Sequence, residues 1–219
     1  MSAIFLDLDG TLLDPMEGIT LSIQHALREL GMEDVPEQDE LTWCIGPSLW
    51  SSFSVILGEH ADLDEAVGLY RERYTDEGMY EAEVYDGIGE MLMSLRETGL
   101  PLFIATSKPH SYANTIVDHF GIGGLIDGLF GSELDGTHSD KAELLAHALA
   151  ETGADPHRSL MIGDRLFDIE GARANEIRSI GALWGYGGLE ELRQADADAL
   201  AGDPEEIPEM VIDLLGLDD

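Results

Sequence analysis

Asp7 and Asp9 close an apolar run near the start of the chain, in the stretch FLDLDGTLLD over residues 5–14, with Gly10 directly behind them. One charged residue is enough to end a buried strand. Two carboxylates at this spacing can divide labour, one as nucleophile or metal ligand and the other as proton donor, because unlike neighbours pull their pKa values apart. The same pair also reads as the turn-forming acids that Asp-Gly often signals, so the other strand ends must decide. Thr106 and Ser107 end the apolar segment LPLFIAT with small hydroxyls suited to hydrogen-bonding a phosphoryl oxygen. Asp164 and Asp168 follow SLMIG at i and i+4, a spacing that on an opening helix puts both carboxylates on one face. Lys141 starts a further helical pattern just after a short strand. Singly, these are a strand-end hydroxyl, a helix N-cap and an exposed cation. Jointly they describe a metal-assisted phosphoryl-transfer site: oxygen ligands for the metal, a lysine to neutralise transferring charge, and a carboxylate to accept the phosphoryl group.

Such a site needs strands that end along one edge. Short apolar segments bounded by Gly, Pro or polar residues predict strands over 3–8, 100–106, 129–131, 159–163 and 177–183. Between them, Ile88, Met91, Leu92 and Leu95 share a helical face ahead of Gly99, and DKAELLAHALAETG opens on an Asp140/Glu143 capping pair and stops at Gly153. This alternation from residue 86 onward predicts an α/β fold, a doubly wound, Rossmann-like parallel sheet with its crevice at the carboxyl ends of the strands. Residues 15–82 do not alternate. Helical patterns over 17–30, in PSLWSSFSVIL and in DLDEAVGLYRERY predict an α-helical domain inserted after the first strand, leaving 1–14 and 83–219 as the core domain. Trp43, Trp50 and Phe53 are expected in the core of that insert, and Gly46 to Leu49 in a loop facing the substrate, with Gly46 and Ser48 as its binding residues.

Composition narrows the partners. At 219 residues and 44% hydrophobic content the chain can bury a core. Its 45 acids against 11 Lys plus Arg give a formal charge of -34, a field that disfavours nucleic acid polymers and anionic membranes. It also fits adaptation to high salt, where self-repulsion is screened. No apolar run approaches the roughly 20 residues of a membrane span, and Cys44 is the only cysteine, so a cytoplasmic protein is expected.

The motifs DLDGT, ATS, Lys141 and GDRLFD, in this order, resemble those of the haloacid dehalogenase superfamily of phosphohydrolases, and the resemblance runs the length of the chain. It implies that Asp7 is the nucleophile and Asp9 the general acid and base, and that Thr106 and Lys141, with Ser107 beside them, hold the phosphoryl group. It further implies Mg²⁺ served by Asp7, by Asp9 through its carbonyl, by Asp164 and by Asp168, and a helical cap in the insert. The implied activity is a Mg²⁺-dependent phosphomonoesterase working through an aspartyl phosphate on a small molecule, as a monomer or homodimer. Phosphoglycolate phosphatase is the leading substrate class and 5'-nucleotidase the alternative. A receiver-type phosphoacceptor domain is a distant third, opposed by the insert. His138 stands where the family usually has arginine, and Leu166-Phe167 where more polar residues are usual.

Overall fold

The structure, a computed structural model, describes residues 1–58 and 60–217. The chain divides into two compact units, one of Met1–Leu13 with Val84–Asp219 and one of Asp14–Glu83.

The first unit is built on a sheet of β1 (Ile4–Leu6), β4 (Leu102–Pro109), β5 (Gly128–Ser132), β6 (Leu160–Gly163), β7 (Arg178–Ala182) and β8 (Ala199–Ala201). Their order is β5-β4-β1-β6-β7-β8, and every pairing is parallel. Parallel strands need crossovers, which α4 (Ile88–Glu97), α5 (His110–His119), α6 (Lys141–Thr152), α7 (Leu166–Ala174) and α8 (Gly188–Gln194) provide, with α9 (Ile207–Leu215) closing the chain. All residues of β1 and β6 are buried, as expected of strands covered on both faces. Side chains alternate across the pleat, so Phe5, Phe103 and Met161 fall on one face. There they pack with Leu144, Leu145 and Ala148 of α6.

Register fixes the site. Leu6 pairs with Ile104 on one side and Ile162 on the other, and the Asp7 N–H donates to the Ile162 carbonyl at 2.9 Å. The residues just past these partners therefore leave the sheet along one carboxyl edge. β4 continues past its expected end at 106, and its register against β5 shifts between Thr106 and Pro109. β8 was not expected at all; it is three residues long and lies at the sheet edge.

The second unit holds α1 (Met16–Glu29), a 3-10 turn Gln38–Cys44, α2 (Leu49–Leu57) and α3 (Leu63–Asp76). Gly18 of α1 leaves room for Gly78, where any side chain would strike backbone. Arg73 of α3 donates to both carboxylate oxygens of Glu81 at 2.8 Å. Phe53 is fully buried beside Tyr70, which stacks on Tyr74. Trp43, expected in this core, is instead 39% exposed. Trp50 lies under Arg71 and donates its indole N–H to Asp64. β2 (Leu13–Asp14) and β3 (Glu83–Val84), where the chain passes from one unit to the other and back, pair with each other.

Candidate active site

Asp7, Asp9, Thr106, Ser107, Lys141, Asp164 and Asp168 all belong to the first unit, and its strand ends bring most of them together. One carboxylate oxygen from each of Asp7, Asp164 and Asp168 lies within 4.8 Å of the others, and all three residues are buried. Among the described residues no other acidic, His or Cys group is arranged to hold a metal.

Asp164 and Asp168 do not share a helix. Asp164 precedes α7, whose N-cap is Arg165 in an extended conformation, and the Asp168 carboxylate turns back to accept the Arg165 N–H at 3.1 Å. Convergence comes from this reversal instead. Asp164 accepts from the Thr11 hydroxyl at 3.2 Å and the Tyr186 N–H at 2.8 Å. Glycine makes the close packing feasible: Gly10, at φ +85°, sits so near Asp164 that a Cβ would collide with its carboxylate, and a Cβ on Gly163 would collide with that of Asp168.

Lys141 is a buried cation, 5% exposed, and not the exposed helix-start lysine that its place in the sequence suggested. Its ammonium donates to Asp7 Oδ1 at 2.8 Å and the Ala105 carbonyl at 2.9 Å, and lies 2.7 Å from Asp168 Oδ1. Burial pulls the ammonium down, but the Asp168 and Asp7 carboxylates outweigh it and hold its pKa above the usual lysine value. Burial pushes Asp164 well above the ordinary carboxylate range, with Asp168 and Asp7 adding repulsion. It raises Asp168 to about 6, although Lys141 opposes the rise.

The donor set suits a hard cation: three carboxylates, no thiolate and no imidazole. Asp168 Oδ1 is fully buried, and its charged partner is the Lys141 ammonium 2.7 Å away. Three buried carboxylates beside a single ammonium leave negative charge in excess, which a divalent cation would offset.

Asp9 stands apart from this group. Its carboxylate is held by Lys108, with Nζ 2.8 Å from Oδ1 and 2.7 Å from Oδ2. Burial raises its pKa and Lys108 opposes the rise. Thr106, 2% exposed, accepts the Lys108 N–H on its hydroxyl at 3.2 Å, so its own proton remains to donate. The Ser107 carbonyl accepts from Ser132. Gly46 and Ser48 lie in the other unit, where Gly46 has φ +109° and Ser48 caps α2 by accepting the Ser51 N–H. Lys108 was the residue that sequence reasoning passed over. The available signal was its place two residues beyond Thr106, which on a strand puts both side chains on one face.

A family model described as haloacid dehalogenase-like hydrolase matches residues 4–182. A 5'-nucleotidase of Pseudomonas aeruginosa is 45% identical over 87% of this chain and 86% of its own length. The tyrosine-protein kinase PtkA of Mycobacterium tuberculosis is 40% identical over 84% of this chain, which spans 62% of that protein. A phosphoglycolate phosphatase of Aquifex aeolicus is 28% identical over 85% and 86% of the two chains. The crystal structure of a predicted phosphatase from Clostridium acetobutylicum superposes with a TM-score of 0.93 at 34% identity, covering 97% of this chain and 98% of that one. Matched over most of its length and carrying a buried carboxylate cluster at the carboxyl edge of a parallel sheet, the chain belongs to the haloacid dehalogenase-like hydrolases, as one of their phosphatases.

Proposed function

We propose that the protein is a Mg²⁺-dependent phosphomonoesterase that works through an aspartyl phosphate on Asp7. The observation that carries this reading is the convergence of Asp7, Asp164 and Asp168, with the Lys141 ammonium against Asp7 and Asp168. Asp7, Asp164 and Asp168, with the Asp9 carbonyl, would hold Mg²⁺, which when bound supplies positive charge against the phosphoryl oxygens. An Asp7 carboxylate oxygen attacks phosphorus while the bond to the leaving oxygen breaks, and Asp9 delivers its proton to that oxygen. Asp9, now ionised, takes a proton from water as the water oxygen attacks phosphorus, releasing inorganic phosphate and regenerating the Asp7 carboxylate. The Thr106 hydroxyl and Lys141 ammonium donate to the phosphoryl oxygens, and Ser107 lines the same strand end.

On substrate class, the 45% identity to a 5'-nucleotidase against 28% for a phosphoglycolate phosphatase reverses the order expected from sequence motifs, and a nucleoside monophosphate becomes the leading substrate. Gly46 and Ser48 of the insert are assigned to substrate contact. The likeness to a tyrosine kinase raises transfer to an acceptor hydroxyl, which a base at Asp9 would activate as readily as water; the nucleotidase, at the higher identity, supports the hydrolytic reading.

The two aspartates separate in one experiment. Asp7→Asn has no nucleophile and is inert towards every phosphomonoester. Asp9→Asn loses nucleoside monophosphates, whose leaving oxygen needs a proton, yet gives one stoichiometric burst from p-nitrophenyl phosphate and accumulates a hydroxylamine-labile phosphoprotein. Steady release of inorganic phosphate by Asp7→Asn would refute the mechanism. Parent-enzyme rates on phosphoglycolate with none on nucleotides would reverse the substrate assignment.

A further inference from the structure

The sequence contains two lysines, Lys108 and Lys141, among 45 acids, and the fold spends both on this site. Lys141 lies against Asp7 and Asp168, and Lys108 against Asp9. The Lys108–Asp9 pair spans 99 positions of sequence, and the two side chains are 7% and 12% exposed. Chance pairing of a surface lysine would not look like this. The segment carrying Lys108 is pinned: its N–H donates to the Thr106 hydroxyl, the preceding carbonyl accepts from Ser132, and the register shift between Thr106 and Pro109 re-aims the strand at this point.

We propose that Lys108 is the positioning residue for Asp9, holding its carboxylate by both oxygens in the orientation that proton transfer to and from the leaving oxygen and the water requires. The inference rests on the acid and base role assigned to Asp9 above. Among the described residues Lys108 is the side chain that holds this carboxylate, and a loop residue directly after a strand end has free rotation about χ1 and χ2 unless packed or bonded. A single ammonium spanning both oxygens removes that freedom, and a positioned proton carrier contributes about 10²- to 10⁴-fold to rate.

Acting through Asp9 has a signature that direct substrate binding lacks. Lys108→Met keeps the stem but not the charge, and should lower kcat on a nucleoside monophosphate by about 10- to 100-fold, a part of the proton-transfer contribution. It should also produce a burst of p-nitrophenol and trapped phosphoprotein, as Asp9→Asn does. Combined with Asp9→Asn it should add less than about twofold, because a residue that works only through its partner has nothing left to do once the partner is gone. Lys108→Gln, which keeps a donor and is gentler on the buried pair, carries the same expectation if the methionine variant does not fold. Losses that multiply in the double variant, or appear in KM with kcat intact, would show that Lys108 contacts the substrate itself and would overturn the proposal. Parent kcat in the Lys108 variants beside a crippled Asp9→Asn would overturn it while leaving the role of Asp9 standing. Parent kcat in Asp9→Asn would instead remove the reading of Asp9 on which it rests.

Discussion

Lys141→Met in metal-free protein tests the electrostatics of the site directly. The ammonium is the cation against a cluster whose three carboxylates keep oxygens within 4.8 Å of one another, and it pairs with two of them at 2.8 and 2.7 Å. Methionine fills a similar volume beside Gly171, which packs directly against the lysine stem, so the loss is of charge more than of packing. Removing one partner of a buried ion pair costs about 3–5 kcal/mol, because the other charge stays buried without compensation. For a chain of this size each kcal/mol moves Tm by about 2–4 °C, giving a fall of about 6–20 °C. The assay is a thermal melt in EDTA and again with Mg²⁺. The fall should be smaller with Mg²⁺, because a divalent cation on the same carboxylates replaces part of the missing charge. A variant that melts within about 3 °C of the parent in EDTA, well below that range, would refute the claim that Lys141 compensates this cluster.

The remaining expectations concern protons and salt. Burial raises the pKa of Asp9, Asp164 and Asp168 above the unfolded value, Asp168 to about 6, so the stability they contribute is full below about pH 4 and lost as pH rises through the folded values. Metal-free protein held at constant high salt should therefore melt higher at pH 5 than at pH 7, and Asp168→Asn should flatten that slope; an unchanged slope would refute the assignment. Mg²⁺ must displace the protons of Asp164 and Asp168, so the rise in Tm that it produces should grow from pH 5 to pH 7. With a formal charge of -34, Tm should climb as KCl goes from dilute to about 1 M and the Debye length falls to about 3 Å; a flat or falling Tm would exclude repulsion as the limiting term.

The sheet was legible because its strands are short apolar runs buried on both faces, and local composition reports that kind of burial. Ile4–Leu6 and Leu160–Gly163 stand out for this reason, whereas Ala199–Ala201, lying in an acidic, alanine-rich stretch at the sheet edge, does not. The types of the site residues were legible too, but not their neighbours. Sequence spacing put Asp164 and Asp168 on one helix face; the chain instead brings them together by turning Asp168 back onto the Arg165 N–H. Lys141 read as exposed because a helix start is usually solvated, and its burial follows from contacts 134 positions away at Asp7 and 36 away at Ala105, which no local pattern carries. Lys108 was missed for the same reason: its meaning lies in Asp9, 99 positions away in the loop after β1.

The pairing of Leu13–Asp14 with Glu83–Val84 has an evolutionary consequence. Paired strands lie about 4.8 Å apart, so the helical insert leaves and returns at adjacent points, and the Gly18 N–H donating to the Glu81 carbonyl draws its own two ends together. A segment with neighbouring ends can be lengthened, exchanged or shortened to a tight turn without altering the strand order of the sheet that carries it. Selection can therefore rework residues 14–83 while Asp7, Asp9, Lys108, Lys141, Asp164 and Asp168, encoded wholly outside that segment, keep their spacing. Recombination at two short junctions would be enough to give the same chemistry a different insert.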